Sequence, residues 1–352
     1  MLVIELDTPC VVIDGAIVDR NIQRFQTYCT YHGLNFRPHV KTHKIPELAH
    51  RQIQSGAIGI NCQKISEAEV FVDAGIEDVL ITFNILGEKK LKRLVDLSKR
   101  CRLTVVADNT ETIKQLSTYF KQEKSSVRVL VECDTGAKRC GVQSPQDALA
   151  LALVIEASPS LVFSGLLTYP APEKTLEAND WLQEARELCK NAGLTVETIS
   201  TGGTPGMFSA HDFSVATEYR AGTYIYNDRS LVNHGTCKYE DCALTVLTTV
   251  VSHPTEDRII VDAGSKSLSS DLLGLEGYGY VVEYPLAKIY ALSEEHGSID
   301  FSACDLRPKI GEKLNIIPNH ACVVSNLSDY VHLKLDDHVS DSLPVAARGK
   351  VW

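Results

Sequence analysis

From Phe36 to Tyr224, strand-like and helix-like stretches alternate almost without interruption, and this alternation constrains the fold more than any other property of the chain. Short apolar runs over 58–62, 79–83, 103–107, 127–133, 161–168, 196–200 and 218–224 read as strands. The amphipathic stretches over 45–55, 66–74, 88–99, 110–123, 146–156 and 175–191 read as helices. Upstream, Cys10 to Ile13 reads as a short strand, and Val18, Ile22, Phe25, Cys29 and His32 recur at helical spacing until Gly33 stops them. Counted from the strand that carries Lys41, about eight strands separated by helices are expected, the pattern of an α/β fold of the parallel (β/α)8 barrel type. A doubly wound open sheet is the alternative. The barrel makes a demand of its own, since chemistry collects at the C-terminal ends of its strands. Lys41, Gln63, Asn84, Asp108, Asp134 with Arg139, Tyr169, the 200–204 loop and Thr223 all fall at or just beyond such ends.

The first of these strands is unusual. In Arg37-Pro-His-Val-Lys-Thr-His-Lys44, Phe36, Pro38 and Val40 alternate with Arg37, His39 and Lys41, so a strand here has one apolar and one cationic face. Like charge around Lys41, from Arg37, His39, His43 and Lys44, disfavours its ammonium form and frees an amine for Schiff-base chemistry. A solvated basic strand that touches phosphate or nucleic acid is the plainer reading. The net charge of -10 tells against nucleic acid and anionic membrane, because basic residues are in excess nowhere but near Lys41, and a pocket is expected instead. No apolar run approaches the roughly 20 residues of a membrane helix, and no basic, then apolar, leader opens the sequence, so a cytoplasmic protein is expected. Its 11 cysteines contain no CxxC pair and read as reduced thiols.

After Asn233 the texture changes. Stretches over 243–252, 258–262, 278–282, 287–292, 313–317 and 331–335 read as strands with almost no helix between them, punctuated by glycine and proline. The expected organisation is therefore a barrel over 11–233 and an antiparallel β domain over 234–352, joined by residues 1–10.

Two further motifs carry chemistry. Thr201-Gly-Gly-Thr-Pro-Gly206 and Ala221-Gly-Thr-Tyr224 follow the seventh and eighth strands, where barrels commonly bind phosphate through close backbone amides and hydroxyls. A phosphate cup with an aldehyde-accepting lysine suggests pyridoxal phosphate. In Asn319-His-Ala-Cys322, an extended chain turns His320 and Cys322 the same way, and imidazole with thiolate suits zinc. From spacing alone, a buried structural cysteine beside a turn histidine is the other reading.

Taken together, Arg37 to Lys44, Val131-Glu-Cys-Asp-Thr-Gly136 with Arg139, Thr201-Gly-Gly-Thr-Pro205, Val261-Asp-Ala-Gly-Ser-Lys266, Ser293-Glu-Glu-His-Gly297, Pro318-Asn-His-Ala-Cys322 and Pro344-Val-Ala-Ala-Arg-Gly349 resemble the D-threonine aldolase and D-serine dehydratase family over nearly the whole chain. The resemblance implies an alanine-racemase-like barrel joined to a β domain, pyridoxal phosphate on Lys41, a divalent metal (zinc, or manganese or magnesium) and a homodimer acting on a small D-amino acid. By position it implies that Arg139 faces the cofactor's phenolic oxygen, that Tyr169 lines the cofactor, and that Gly202, Gly203, Thr204, Gly222 and Thr223 hold its phosphate. It also implies that His320 and Cys322 bind the metal, with His296 near it as a catalytic candidate. The blocks as a whole point to retro-aldol cleavage of a D-3-hydroxy amino acid, whereas a cysteine at 322 points to zinc and to dehydration of D-serine or D-threo-3-hydroxyaspartate. An amino-acid racemase and a non-catalytic pyridoxal phosphate-binding protein are the remaining alternatives.

Overall fold

The computed structural model describes residues 1–352 and forms two compact units, Phe25–Lys41, Leu48–Gly222 and Lys350–Trp352 in one, Met1–Arg24, Thr42–Glu47 and Thr223–Gly349 in the other. Chain connections pass from one unit to the other between Lys41 and Thr42 and between Gly222 and Thr223.

The first unit holds an eight-stranded parallel sheet whose neighbours follow chain order: Asn35–Phe36, Ile60–Cys62, Asp78–Ile81, Arg102–Ala107, Val127–Cys133, Leu161–Thr168, Thr198–Thr201 and Glu218–Tyr219. The eighth strand pairs with the first, and a parallel bridge between His39 and Asn61 joins the first to the second, so the ring closes. Both faces of these strands are covered, which is why they read as short continuous apolar runs. Leu80, Val106, Leu130 and Leu167, from the third to sixth strands, form a buried layer inside. The helices between begin where their sequences provide caps. Asn109 accepts from the Thr112 amide at 2.8 Å, and Ser144 accepts from the Asp147 amide at 3.1 Å with Pro145 in the first turn.

The lysine strand departs from expectation in extent and in charge. Regular pairing spans only Asn35–Phe36, because Pro38 has no N–H to contribute. Hydrogen bonds nevertheless continue to its end: the Arg37 and His39 amides donate to Tyr219 and Ala221, and the Val40 amide to Asn61 at 2.9 Å. The expected all-cationic face is neutralised at one end. Arg37 is buried and donates through Nε to Glu218 and through Nη1 to Asp78, both at 2.7 Å, so it brings no uncompensated charge to Lys41. His43 is also not a cation here, since its Nδ1 accepts from the Ile45 amide at 3.1 Å, which a doubly protonated ring cannot do.

The second unit is built on a nine-stranded sheet. Its path runs Lys288–Leu292, Gly297–Asp300, Arg258–Val261, Leu244–Ser252, Cys10–Asp14, Tyr330–Leu335 and His338–Pro344, with Lys313–Pro318 paired to Leu244–Ser252 and Gly279–Val281 paired in turn to Lys313–Pro318. All pairings are antiparallel except Cys10–Asp14 with Tyr330–Leu335. The helix-poor texture expected here holds with two exceptions used below, the short helices Ser265–Leu268 and Ala321–Leu327. No helix is long and apolar enough to cross a membrane.

Asp14 closes the parallel pairing electrostatically. It lies in register with Lys334, whose Nζ is 2.8 Å from Oδ2, while Oδ1 accepts from the Ile17 amide at the start of the following helix. Partial burial raises its pKa, but the bond to Lys334 and the helix amides outweigh this and hold it below the ordinary range. A depressed carboxyl contributes stability above its unfolded pKa of about 3.9 and loses it as pH falls through the folded value. Asp14→Ala should therefore lower unfolding stability by about 1 kcal/mol at pH 7, as lost helix caps do. In denaturant titrations this difference should shrink towards pH 3; a constant difference would show that the carboxylate charge is not involved.

Candidate active site

In the barrel unit, Lys41 ends the hydrogen-bonded stretch of the first strand and is exposed, while Val40 before it is buried. At the end of the fifth strand, Asp134 shapes the loop that carries Arg139 by accepting from the Gly136 and Lys138 amides, both at 3.0 Å. Partial burial works against the ionised form, but these N–H groups hold its carboxyl below the ordinary range. Arg139 lies over the Tyr169 ring at 4.9 Å. Behind the same ring stands Gly203, where an added Cβ would meet Tyr169 at 3.1 Å. Gly202 adopts φ +131°, and a Cβ there would fall 2.3 Å from the Arg220 carbonyl oxygen. Thr204 is buried and its Oγ1 accepts from the Gly222 amide at 3.2 Å, joining the two glycine-threonine turns. The structure thus brings Arg139, Tyr169, Gly203, Gly202, Thr204 and Gly222 into one set.

These residues fit pyridoxal phosphate. The turns are stripped of side chains where a phosphate would enter, and Thr201 at their head buries an Oγ1 with no partner. Sequence reading missed Arg220, two residues before Gly222. It is fully buried and donates Nε to Ser200 Oγ at 2.9 Å and Nη2 to the Thr168 carbonyl. Burial pushes its pKa down to about 10 against the pull of Glu218 and Glu132, so it stays charged at neutral pH. Asp108, Glu132 and Cys140 were also missed as a group, although their donor atoms lie within 4.8 Å of one another. Burial and Asp108 push the Glu132 carboxyl up, and the positive fields of Arg139 and Arg220 oppose that shift and would equally repel a cation.

In the second unit, Asn319-His-Ala-Cys322 is not extended, as the spacing argument assumed. His320 has extended backbone, but Ala321–Leu327 is a helix and Cys322 lies in its first turn. The two side chains still meet, His320 hydrogen-bonded to Cys322. The backbone between them is fixed from both sides: Asp228 Oδ2 accepts from the Ala321 amide at 3.0 Å, and the Asn319 side chain bridges Arg229 at 3.0 Å and the Gly277 carbonyl at 2.8 Å. Burial alone would lower the His320 pKa, but Cys322 and Asp271 raise it to about 9. Burial likewise raises that of Cys322, yet the His320 ring and the hydroxyls of Thr223 and Thr42 bring it below the ordinary thiol value. These hydroxyls lie 3.4 and 3.2 Å from Sγ. Thr223, expected with the phosphate donors, thus turns its hydroxyl to the thiol. An imidazole hydrogen-bonded to a thiol is a donor set that fits a borderline-soft divalent ion, which would replace the proton between them. His296 is exposed in the turn between Lys288–Leu292 and Gly297–Asp300, its carbonyl accepting from the Ser293 amide at 2.8 Å, and no hydrogen bond joins it to His320 or Cys322.

Comparison with known proteins covers both units. Residues 13–230 match the family described as "Alanine racemase, N-terminal domain", and residues 243–334 match "Putative serine dehydratase domain". The chain is similar to D-threonine aldolase from Arthrobacter sp., 34% identical over 98% of this chain and 93% of the relative. It is also similar to D-threo-3-hydroxyaspartate dehydratase from Delftia sp. (strain HT23), 32% identical over 90% of this chain and 91% of the relative. Among solved structures, D-threonine aldolase from Filomicrobium marinum superposes with a TM-score of 0.93 at 31% identity, covering 100% of this chain and 99% of that one. With its barrel, its β domain and nearly its full length matched, the chain belongs to the D-threonine aldolase and D-serine dehydratase family of pyridoxal phosphate-dependent lyases on the alanine racemase fold.

Proposed function

We propose that this enzyme is a divalent-metal-assisted aldolase of the D-threonine aldolase type, cleaving the Cα–Cβ bond of a D-3-hydroxy amino acid to glycine and an aldehyde. The observation that carries the reading is the hydrogen-bonded contact between the His320 imidazole and the Cys322 sulfur. Racemisation acts at Cα alone and has no use for a metal pair, whereas chemistry at a β-hydroxyl does. A barrel that only bound the cofactor would need no serine dehydratase-like region over 243–334.

When bound, pyridoxal phosphate supplies an electron sink for charge at Cα and a divalent ion supplies a Lewis acid for the β-hydroxyl. Lys41 would carry the cofactor covalently, and Gly202, Gly203, Thr204 and Gly222 would hold its phosphate. Arg139, stacked on Tyr169, would face its ring oxygen. His320 and Cys322 would hold the metal, as zinc, manganese or magnesium. The amine of Lys41 is the group that would move a proton at Cα. None of the 11 cysteines is in a disulfide, in keeping with a cytoplasmic enzyme, and a homodimer is part of the same reading.

Dehydration to a keto acid and ammonia is the second reading, and the Cys322 ligand favours it. The two part over which bond at Cα breaks. D-threonine supplied to the metal-loaded holoenzyme should yield acetaldehyde and glycine without ammonia; 2-oxobutyrate with ammonia would make the enzyme a dehydratase.

The residue assignments have their own tests. Lys41→Ala should lose the long-wavelength absorbance of lysine-bound cofactor, and a retained band would overturn that role. Gly203→Val should weaken cofactor binding at least tenfold by equilibrium dialysis, because the new side chain meets the Tyr169 ring. His320→Ala and Cys322→Ala should each cut turnover at least about 100-fold, since a Lewis acid is worth several kcal/mol. Cofactor absorbance should survive both changes. Full chelator-sensitive turnover in both variants would exclude the ligand pair.

A further inference from the structure

We propose that Asp271 is a positioning residue of the metal centre, holding the His320 ring through Nδ1 so that Nε2 is the atom offered to the cation. The inference rests on His320 and Cys322 being the metal pair. Asp271 Oδ2 lies 2.6 Å from His320 Nδ1. A carboxylate oxygen accepts, so the proton between them belongs to Nδ1, and Nε2 is the nitrogen left to give up its proton to a cation. Which nitrogen binds is thereby chosen before any ion arrives.

The carboxylate is itself fixed. Ser269, at φ +68° just after the helix Ser265–Leu268, turns the chain, and its Oγ accepts from the Asp271 amide at 3.0 Å. Asp271 Oδ1 is turned back towards the Leu273 amide at 3.4 Å. One carboxylate oxygen is therefore engaged with the ring and the other with backbone, which suits an orienting role and not a third ligand. At the other end of the ring, the Asp228 bond to the Ala321 amide and the double anchorage of Asn319 fix the backbone from which His320 projects. Such carboxylate–imidazole pairs raise ligand basicity, and their loss typically weakens metal binding 10–100-fold.

The test is zinc affinity of the cofactor-loaded protein, measured by competition with a chromophoric chelator, with nitrogen NMR of the histidine-labelled, zinc-loaded protein. Asp271→Ala should raise the zinc Kd by about 10–100-fold while cofactor absorbance and circular dichroism stay unchanged. Asp271→Asn keeps a carbonyl acceptor and should recover part of the loss. In the wild type, His320 should carry its proton on Nδ1 and zinc on Nε2. Unchanged affinity in both variants, zinc on Nδ1, or a loss as complete as that of His320→Ala would each overturn the inference. Zinc binding that survives both His320→Ala and Cys322→Ala would overturn the underlying pair instead, so the two failures are distinguishable.

Discussion

The barrel depends on one buried carboxylate. Glu218 accepts from Arg37 Nε at 2.7 Å through Oε2 and from Ser200 Oγ at 2.6 Å through Oε1, and Ser200 in turn accepts from Arg220. This chain of bonds joins the first, seventh and eighth strands across the point where the ring closes. Without Glu218, Arg37 would keep Asp78 as its partner, and Arg220 would lose the first of its two compensating carboxylates, keeping Glu132. Buried ion pairs are weak evidence of net stability, because desolvation consumes much of the Coulombic gain, but stripping one partner from such a pair commonly costs about 3–5 kcal/mol. Glu218 therefore matters less as a source of stability than as the carboxylate that both buried arginines share.

The strand ends inherit that order. Once Arg37 is turned into the barrel, the alternation of a strand sends Val40 to the buried side and leaves Lys41 exposed at its end. Once Arg220 is anchored to Ser200 and Thr168, Gly222 follows at the position where its amide reaches Thr204. The lysine and the glycine-threonine turns are thus set by polar bonds made deeper in the barrel.

The second unit achieves preorganisation by different means. Its imidazole and thiol lie at the start of a short helix, and the bonds that orient them come from Thr42, Asp228, Asp271 and Thr223, which belong to no common motif. Several weak constraints converge on these two side chains and together fix their geometry.

The chain's periodicity was enough to determine the barrel and the helix-poor second region, and its strand-end residues marked Lys41 and the Thr201–Gly206 turn as candidates. Those properties are local: alternation, glycine placement and caps act over a few residues and survive in any fold that respects them. Charge state was not legible in this way, because Arg37 meets its partners 41 and 181 residues further on. Nor was the geometry around His320 and Cys322, since Asp271 reaches His320 across 49 residues and Thr42 reaches Cys322 across 280. A short motif states which chemical groups are present, but their protonation and orientation are decided by contacts that exist only once distant segments have folded together.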